Sequence, residues 1–192
     1  MVVWGLCCSK FPKSGTPTKK VYWPRLKLLP QSLMARVKRI MVLSITDQKT
    51  PIFDTVSVGD ELPELVKYPD TRQLVMYAGA SQDFVAIHYD LNVAREAGHS
   101  NVLIHGALKS AWLSELVTSW MGYGGRLLEL SISYRSIDFP GSPVTCFGKV
   151  TNTRLEDDCG LVEIEIGLRN KEGLITTPGR ALVSLPTQQT DD

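Results

Sequence analysis

The spacing of apolar residues changes once along the chain, near residue 127. Before that point apolar side chains recur three or four positions apart, as they do on one face of a helix. After it they alternate with polar side chains, as they do along a strand. Helices followed by antiparallel strands are typical of the α+β class. The pattern therefore predicts an α+β domain whose helices come first.

Three helices are predicted in the first part of the chain. One spans residues 71 to about 80, a short second helix follows Asp90 and stops at Gly98, and the longest spans about 106–121. Aspartate before a helix accepts hydrogen bonds from its free N–H groups, and glycine often ends one. The longest helix is predicted to bury one apolar face, made of Leu108, Ala111, Trp112, Leu116, Val117 and Trp120. Its other face is predicted to be polar, with Lys109, Ser114, Glu115, Thr118 and Ser119.

Four strands are predicted after the helices, over residues 128–139, 144–155, 161–169 and 174–185. Short polar or proline-containing turns separate them, as in a meander of sequential antiparallel strands. Residues 53–66 are predicted to be irregular, because Pro63 cannot donate a hydrogen bond inside a central strand.

Charge separates a basic leader from an acidic body. Nine of the 21 basic residues precede Asp47, which is the first acidic residue. Residues 47–192 therefore contain 12 basic and all 20 acidic residues, which gives them a formal charge of −8. An acidic body argues against nucleic acid as a partner. Four prolines and the lack of a long apolar stretch predict a poorly ordered leader, residues 1–46, with no membrane span. Residues 47–192 are predicted to form one domain.

The role of the leader stays open between three interpretations. It could be an organelle-targeting presequence, a tail for membrane surfaces or anionic partners, or sequence upstream of a true start at Met34 or Met41. The four cysteines show no Cys-x-x-Cys spacing and favour free thiols in a reducing compartment. We therefore predict a cytoplasmic location, with organelle import through the leader as the alternative.

Candidate chemistry lies between the first helix and the longest one. Asp83 and His88 are five positions apart on one short loop, and His105-Gly106 opens the long helix. A carboxylate and an imidazole can share a water, and free N–H groups at a helix start stabilise a developing negative charge. Structural roles are the alternatives: a turn for Asp83, a satisfied histidine for His88, close packing for Gly106, and a hydrogen-bonded helix start for His105.

These features together resemble the MaoC-like dehydratase, or (R)-specific enoyl-CoA hydratase, family of hot-dog folds. The resemblance covers roughly residues 50–186 and rests on Asp83-Phe84-Val85-Ala86-Ile87-His88-Tyr89-Asp90, Ala94, Gly98, Ile104-His105-Gly106 and the strands that follow. It implies a long central helix wrapped by an antiparallel sheet. It also implies a homodimer, with a hetero-oligomer containing another hot-dog subunit as an alternative.

The resemblance also implies an activity and a site. The expected reaction is reversible hydration of a trans-2-enoyl-CoA, or dehydration of an (R)-3-hydroxyacyl thioester. Asp83, His88 and the N–H of Gly106 are then the catalytic groups, and Ile87 and His105 bind substrate. No metal or cofactor is expected, since coenzyme A or an acyl carrier belongs to the substrate.

One departure from the family pattern keeps two rival functions open. The family loop reads Asp-x-Asn-Pro-x-His, and here Val85-Ala86 replace Asn-Pro, two residue types that fix turns. The change predicts altered efficiency or substrate range. The rivals are a hot-dog acyl-CoA thioesterase and a non-catalytic hot-dog subunit of a heteromeric dehydratase.

Overall fold

The computed structural model describes residues 50–157 and 159–188, so the predicted leader, residues 1–46, lies outside the described residues. The described helices are α1 (Thr71–Ser81), α2 (Leu91–Glu96) and α3 (Gly106–Met121). The described strands are β1 (Leu65–Lys67), β2 (Arg126–Ile132), β3 (Val144–Glu156), β4 (Cys159–Asn170) and β5 (Ile175–Leu185). Short 3₁₀ turns cover Phe53–Thr55 and Ala86–His88. The predicted α+β class and all three helices are confirmed.

The strands form one antiparallel sheet in the order β1-β3-β4-β5-β2. The prediction of a four-strand meander is therefore wrong for β2, which pairs with β5 instead of with the next strand. Strand β2 also ends at Ile132, seven residues before the predicted end at Phe139. Beyond it, the N–H groups of Ser133 and Arg135 bond irregularly to the carbonyls of Pro178 and Thr176, both at 2.9 Å.

The sequence prediction also missed β1. This strand has only three residues and lies at the sheet edge, where Leu65 pairs with Cys146 of β3. Pro63 comes just before it, in a position where a missing N–H donor does not interrupt the sheet. The proline thus excluded a central strand, as predicted, without excluding an edge strand.

Helix α3 packs on the sheet and supplies much of the core. Its buried residues are Leu108, Lys109, Trp112, Leu113, Leu116 and Val117. They meet buried residues of the strands, among them Cys146, Val150, Val162, Ile164, Ile166, Leu168 and Val183. Two helix predictions are corrected: Ala111 is exposed, and Lys109 is buried at 3% exposure because it forms an internal ion pair.

No helix among the described residues is both long and apolar enough to cross a membrane.

Candidate active site

The loop that carries Asp83 begins with a sharp change of direction at the end of α1. Gln82 adopts a left-handed conformation with φ 60° and ends the helix. Asp83 makes two local hydrogen bonds: its N–H donates to Ser81 Oγ and its Oδ1 accepts from the N–H of Val85, both at 3.4 Å. Such long hydrogen bonds are weak, so the carboxylate keeps capacity for further partners.

The turn from Val85 to His88 forms without the Asn-Pro pair. The N–H of His88 donates to the carbonyl of Val85, and that of Tyr89 to the carbonyl of Ala86, both at 3.1 Å. Tyr89 adds a side-chain bond, since its hydroxyl donates to the carbonyl of Phe84 at 2.9 Å. Asp90 caps α2 as predicted, accepting from the N–H of Asn92 at 2.9 Å.

His88 is oriented by the segment that leads into α3. Its Nδ1 lies 2.8 Å from the carbonyl oxygen of Leu103. A carbonyl only accepts, so Nδ1 carries the hydrogen and Nε2 is the free acceptor of the neutral ring. The N–H of Leu103 donates to the carbonyl of Ile87 at 3.0 Å. Ile87 itself is half-buried against the core, and its predicted substrate contact stays a prediction.

His105 lies beneath His88 and is fully buried, at 0% exposure. The two imidazole rings stack with centroids 3.8 Å apart and planes 20° apart, while Tyr77 presents its ring to His105 at 5.0 Å. Neither ring nitrogen of His105 makes a hydrogen bond of normal geometry with any described residue. Burial lowers the pKa of His105, and His88 lowers it further, although the charge and main chain of Asp83 oppose the shift.

Three polar groups therefore converge. One ligand atom each from Asp83, His88 and His105 lies within 4.8 Å of the others. Two imidazoles and a carboxylate are also ligands that transition metals accept. The same three groups can also hydrogen-bond one small polar group.

Gly106 is the first residue of α3, and among the described residues no partner accepts its N–H. Its Cβ side is also occupied: a Cβ built there would lie 3.2 Å from Cζ of Tyr134. The Tyr134 hydroxyl lies 2.5 Å from Ser110 Oγ, which holds the ring in place. Gly106 thus has a packing reason to be glycine, and its N–H lacks an acceptor among the described residues.

Sequence reasoning missed a buried network that fixes the start of α3. Lys109 Nζ donates to Asp138 Oδ2 and to the carbonyl of Ser136, both at 2.9 Å, and Thr176 Oγ1 donates to the same carboxylate oxygen at 2.6 Å. The carbonyl of Asp138 accepts from the N–H of Ile104 at 3.0 Å. A pairing between residues 29 apart leaves no local signal.

Tyr77 and Tyr134, which line the same cluster, were also outside the sequence prediction. Burial raises the pKa of Tyr77, and the negative charge of Asp83 raises it further. Tyr134 is 55% exposed and follows the end of β2, so no periodic pattern singled it out. Only the fold brings both tyrosines beside Asp83 and Gly106.

Comparison with known protein families shows which family the chain belongs to. The sequence profile described as the MaoC like domain matches residues 47–170, well over half of the chain. The chain belongs to the MaoC-like domain family. The matched stretch contains Asp83, His88, His105 and Gly106, so the whole site of this MaoC-like chain lies inside the family domain.

Named relatives are hydratases and dehydratases. The (R)-specific enoyl-CoA hydratase of Aeromonas caviae is 27% identical over 133 residues, covering 69% of this chain and 97% of the relative. The 3-oxo-4,17-pregnadiene-20-carboxyl-CoA hydratase beta subunit of Mycobacterium tuberculosis is 27% identical over 116 residues, covering 60% and 87%. The mitochondrial 3-hydroxyacyl-[acyl-carrier-protein] dehydratase of Arabidopsis thaliana is 26% identical over 132 residues, covering 68% and 78%.

Solved structures confirm the predicted hot-dog fold. The (R)-hydratase from A. caviae superposes with a TM-score of 0.63 at 26% identity, covering 69% of this chain and 98% of that one. A chain of the ChsH1–ChsH2 complex from M. tuberculosis gives a TM-score of 0.61 at 25% identity, covering 68% and 99%. The predicted resemblance to the MaoC-like dehydratases is therefore confirmed.

Proposed function

We propose that this MaoC-like chain catalyses reversible hydration of a trans-2-enoyl thioester, or dehydration of the (R)-3-hydroxyacyl thioester. The observation that carries the proposal is the convergence of Asp83 and His88 beside the first residue of α3. Family membership supports a hydratase or dehydratase. The (R) configuration is taken from the A. caviae relative.

Hydration of a conjugated thioester takes one proton from water and delivers one to the α-carbon. Asp83 and His88 act as a pair in the proposal: one accepts the proton from water as its oxygen bonds to the β-carbon, and a proton then passes to the α-carbon. The free Nε2 of His88 suits it to accept from water. The proposal therefore assigns the proton to the pair and not to either residue alone.

Negative charge develops on the thioester oxygen while the α-carbon awaits its proton. The N–H of Gly106 is the proposed donor to this oxygen, since it opens a helix of 16 residues and has no partner among the described residues. The reaction forms one C–O bond and one C–H bond without net oxidation or reduction, so the proposal includes no redox cofactor, and it assigns the proton and charge steps to protein groups without a metal. Coenzyme A or an acyl-carrier protein enters as part of the substrate.

The decisive experiment compares Asp83→Asn and His88→Ala with wild type in the hydration of crotonyl-CoA and longer enoyl-CoAs. Each variant is expected to lose about 100-fold or more in kcat while keeping its circular dichroism spectrum. His99→Ala, which removes a histidine outside the cluster, is the matched control and should stay active. Hydration that survives unchanged in both site variants would rule out the pair. Release of free thiol from a saturated acyl-CoA would favour a thioesterase instead.

A second candidate is a subunit of a heteromeric dehydratase. The observation in its favour is similarity to a protein named as a hydratase beta subunit and to a chain of the ChsH1–ChsH2 complex. A homodimer is the simpler assembly and the one we propose for the active form. Light scattering of the pure chain, measured with its hydratase activity, separates the two: an inactive chain that gains activity with a second hot-dog protein supports the heteromer.

A further inference from the structure

His105 is the polar group that the hydration steps above leave unused. It is fully buried, and neither ring nitrogen has a normal hydrogen bond within the described part of the chain. A buried polar atom without a partner destabilises the folded state. Phenylalanine would fill similar space without this cost. A polar ring at this position is therefore explained best by a partner that it meets during function.

The geometry defines what that partner is. The imidazole rings of His88 and His105 stack with centroids 3.8 Å apart, and one ligand atom of each lies within 4.8 Å of the other. The three ligand atoms, with that of Asp83, are no more than 4.8 Å apart. Three partners of one tetrahedral oxygen, each at about 2.8 Å, lie about 4.6 Å from one another. The separations of the three atoms are therefore of the size that one shared oxygen atom requires.

We propose that His105 is a third catalytic group, which hydrogen-bonds the oxygen that is added to or removed from the β-carbon. In hydration this is the oxygen of the reacting water; in dehydration it is the 3-hydroxyl oxygen of the acyl group. This inference rests on the proposed function. His105 transfers no proton in this step. It holds the oxygen while Asp83 and His88 handle the protons.

The environment of His105 supports such a holding role. Burial and the neighbouring His88 keep the pKa of His105 low, so its ring stays neutral and offers one donor and one acceptor nitrogen. The stack on His88 and the edge contact of Tyr77 prevent the ring from rotating freely. A fixed neutral imidazole suits a water and a hydroxyl equally, because both can donate and accept.

The test uses His105→Phe and His105→Asn in the full chain. Phenylalanine keeps the stack and removes both nitrogens, whereas asparagine keeps a polar group without the ring. We expect His105→Phe to lower kcat for crotonyl-CoA about 100-fold and, at the same time, to raise the thermal midpoint, because it removes an unsatisfied buried group. We expect His105→Asn to recover part of the lost kcat. His99→Phe is the control and should change neither quantity.

A binding measurement separates this inference from the proposed reaction. In the Asp83→Asn background, calorimetry compares (R)-3-hydroxybutyryl-CoA with butyryl-CoA. With His105 present the hydroxylated ligand should bind tighter than butyryl-CoA, and with phenylalanine at 105 this preference should be about fivefold smaller, as the loss of one hydrogen bond predicts. If the chain hydrates no enoyl thioester but shows this preference, the contact between His105 and the oxygen is supported and the proposed hydration reaction is wrong. If His105→Phe keeps both kcat and the preference, the inference is wrong.

Discussion

The hydroxyl of Tyr89 donates a hydrogen bond of 2.9 Å to the carbonyl of Phe84, the residue next to Asp83. This bond spans the loop in which Val85-Ala86 replace the family's Asn-Pro. Asn and Pro stabilise a turn through a side-chain bond and a fixed φ, respectively. In this chain a tyrosine that follows the turn supplies a bond across it. The loop therefore reaches a defined conformation by another route.

Removing that bond should loosen the loop. We expect Tyr89→Phe to lower the free energy of unfolding by about 1 kcal/mol and kcat by about tenfold, because Asp83 would be less well oriented. Urea unfolding and steady-state kinetics measure the two effects. Tyr123→Phe, a change at an exposed tyrosine, is the matched control. Wild-type kcat in Tyr89→Phe would show that the loop needs no such support.

Restoring the proline of the family loop at position 86 should compensate for the loss of the Tyr89 hydrogen bond. Val85 has φ −65° and ψ 119°, a conformation that a residue before proline favours, and no described residue accepts the N–H of Ala86. Ala86→Pro should therefore raise the free energy of unfolding by about 0.5–1 kcal/mol, because it restricts the unfolded chain. In the double variant with Tyr89→Phe, kcat should return toward the wild-type value. A lower stability in Ala86→Pro would mean that the turn differs from the one described.

Local signals in the sequence were enough for the helices and for part of the site. The limits of α3 follow from a periodic face that ends in glycines, and the closeness of Asp83 and His88 follows from their five-residue spacing on one turn. Sheet order was not predictable in this way. Alternation tells which face of a strand is buried, but it does not tell which strand is its neighbour, so the pairing of β2 with β5 was missed.

The contacts that the sequence did not predict share a physical reason. The stack of His105 on His88, the Tyr134 ring on Gly106 and the Lys109–Asp138 pair all join residues at least 17 positions apart. A lysine on a helix is usually solvated, so its burial depends on a partner that only the fold supplies. Neutrality of His105 likewise follows from burial and from a neighbouring ring.

Adding a methyl group at Gly106 tests the contact with Tyr134. A Cβ would lie 3.2 Å from the ring, so Gly106→Ala should cost about 1 kcal/mol of stability and displace Tyr134. Adding Tyr134→Ala to the Gly106→Ala variant should remove the contact and recover that loss of stability. Gly79→Ala is the matched control, because nothing lies within 4 Å of its Cβ position in α1, and alanine should stabilise that helix by about 0.5–1 kcal/mol. Hydrogen exchange of α1 and α3 together with urea unfolding distinguishes these outcomes.

Stability should depend on pH through His105. Its folded pKa lies below the ordinary value of 6.5, so at acid pH the unfolded chain binds the proton more readily. The stability that the neutral ring allows is therefore complete above about pH 6.5 and is lost as the pH falls through the lower folded pKa. Charges of Asp83 and His88 face the ring from the loop, and Tyr77 faces it from α1. Thermal midpoints between pH 5 and 8 should fall less steeply in His105→Phe than in wild type; equal slopes would contradict the assignment.

The buried Lys109–Asp138 pair should behave as a unit. Lys109→Met leaves Asp138 buried with Thr176 as its remaining side-chain donor, and breaking such a pair costs about 3–5 kcal/mol. Adding Asp138→Asn removes the uncompensated charge while keeping an oxygen that can accept from Thr176. The double variant should therefore be more stable than Lys109→Met alone. Urea unfolding of both single variants and the double variant gives the coupling energy. Independent, additive losses would show that the ion pair does not fix residues 133–139 to the start of α3.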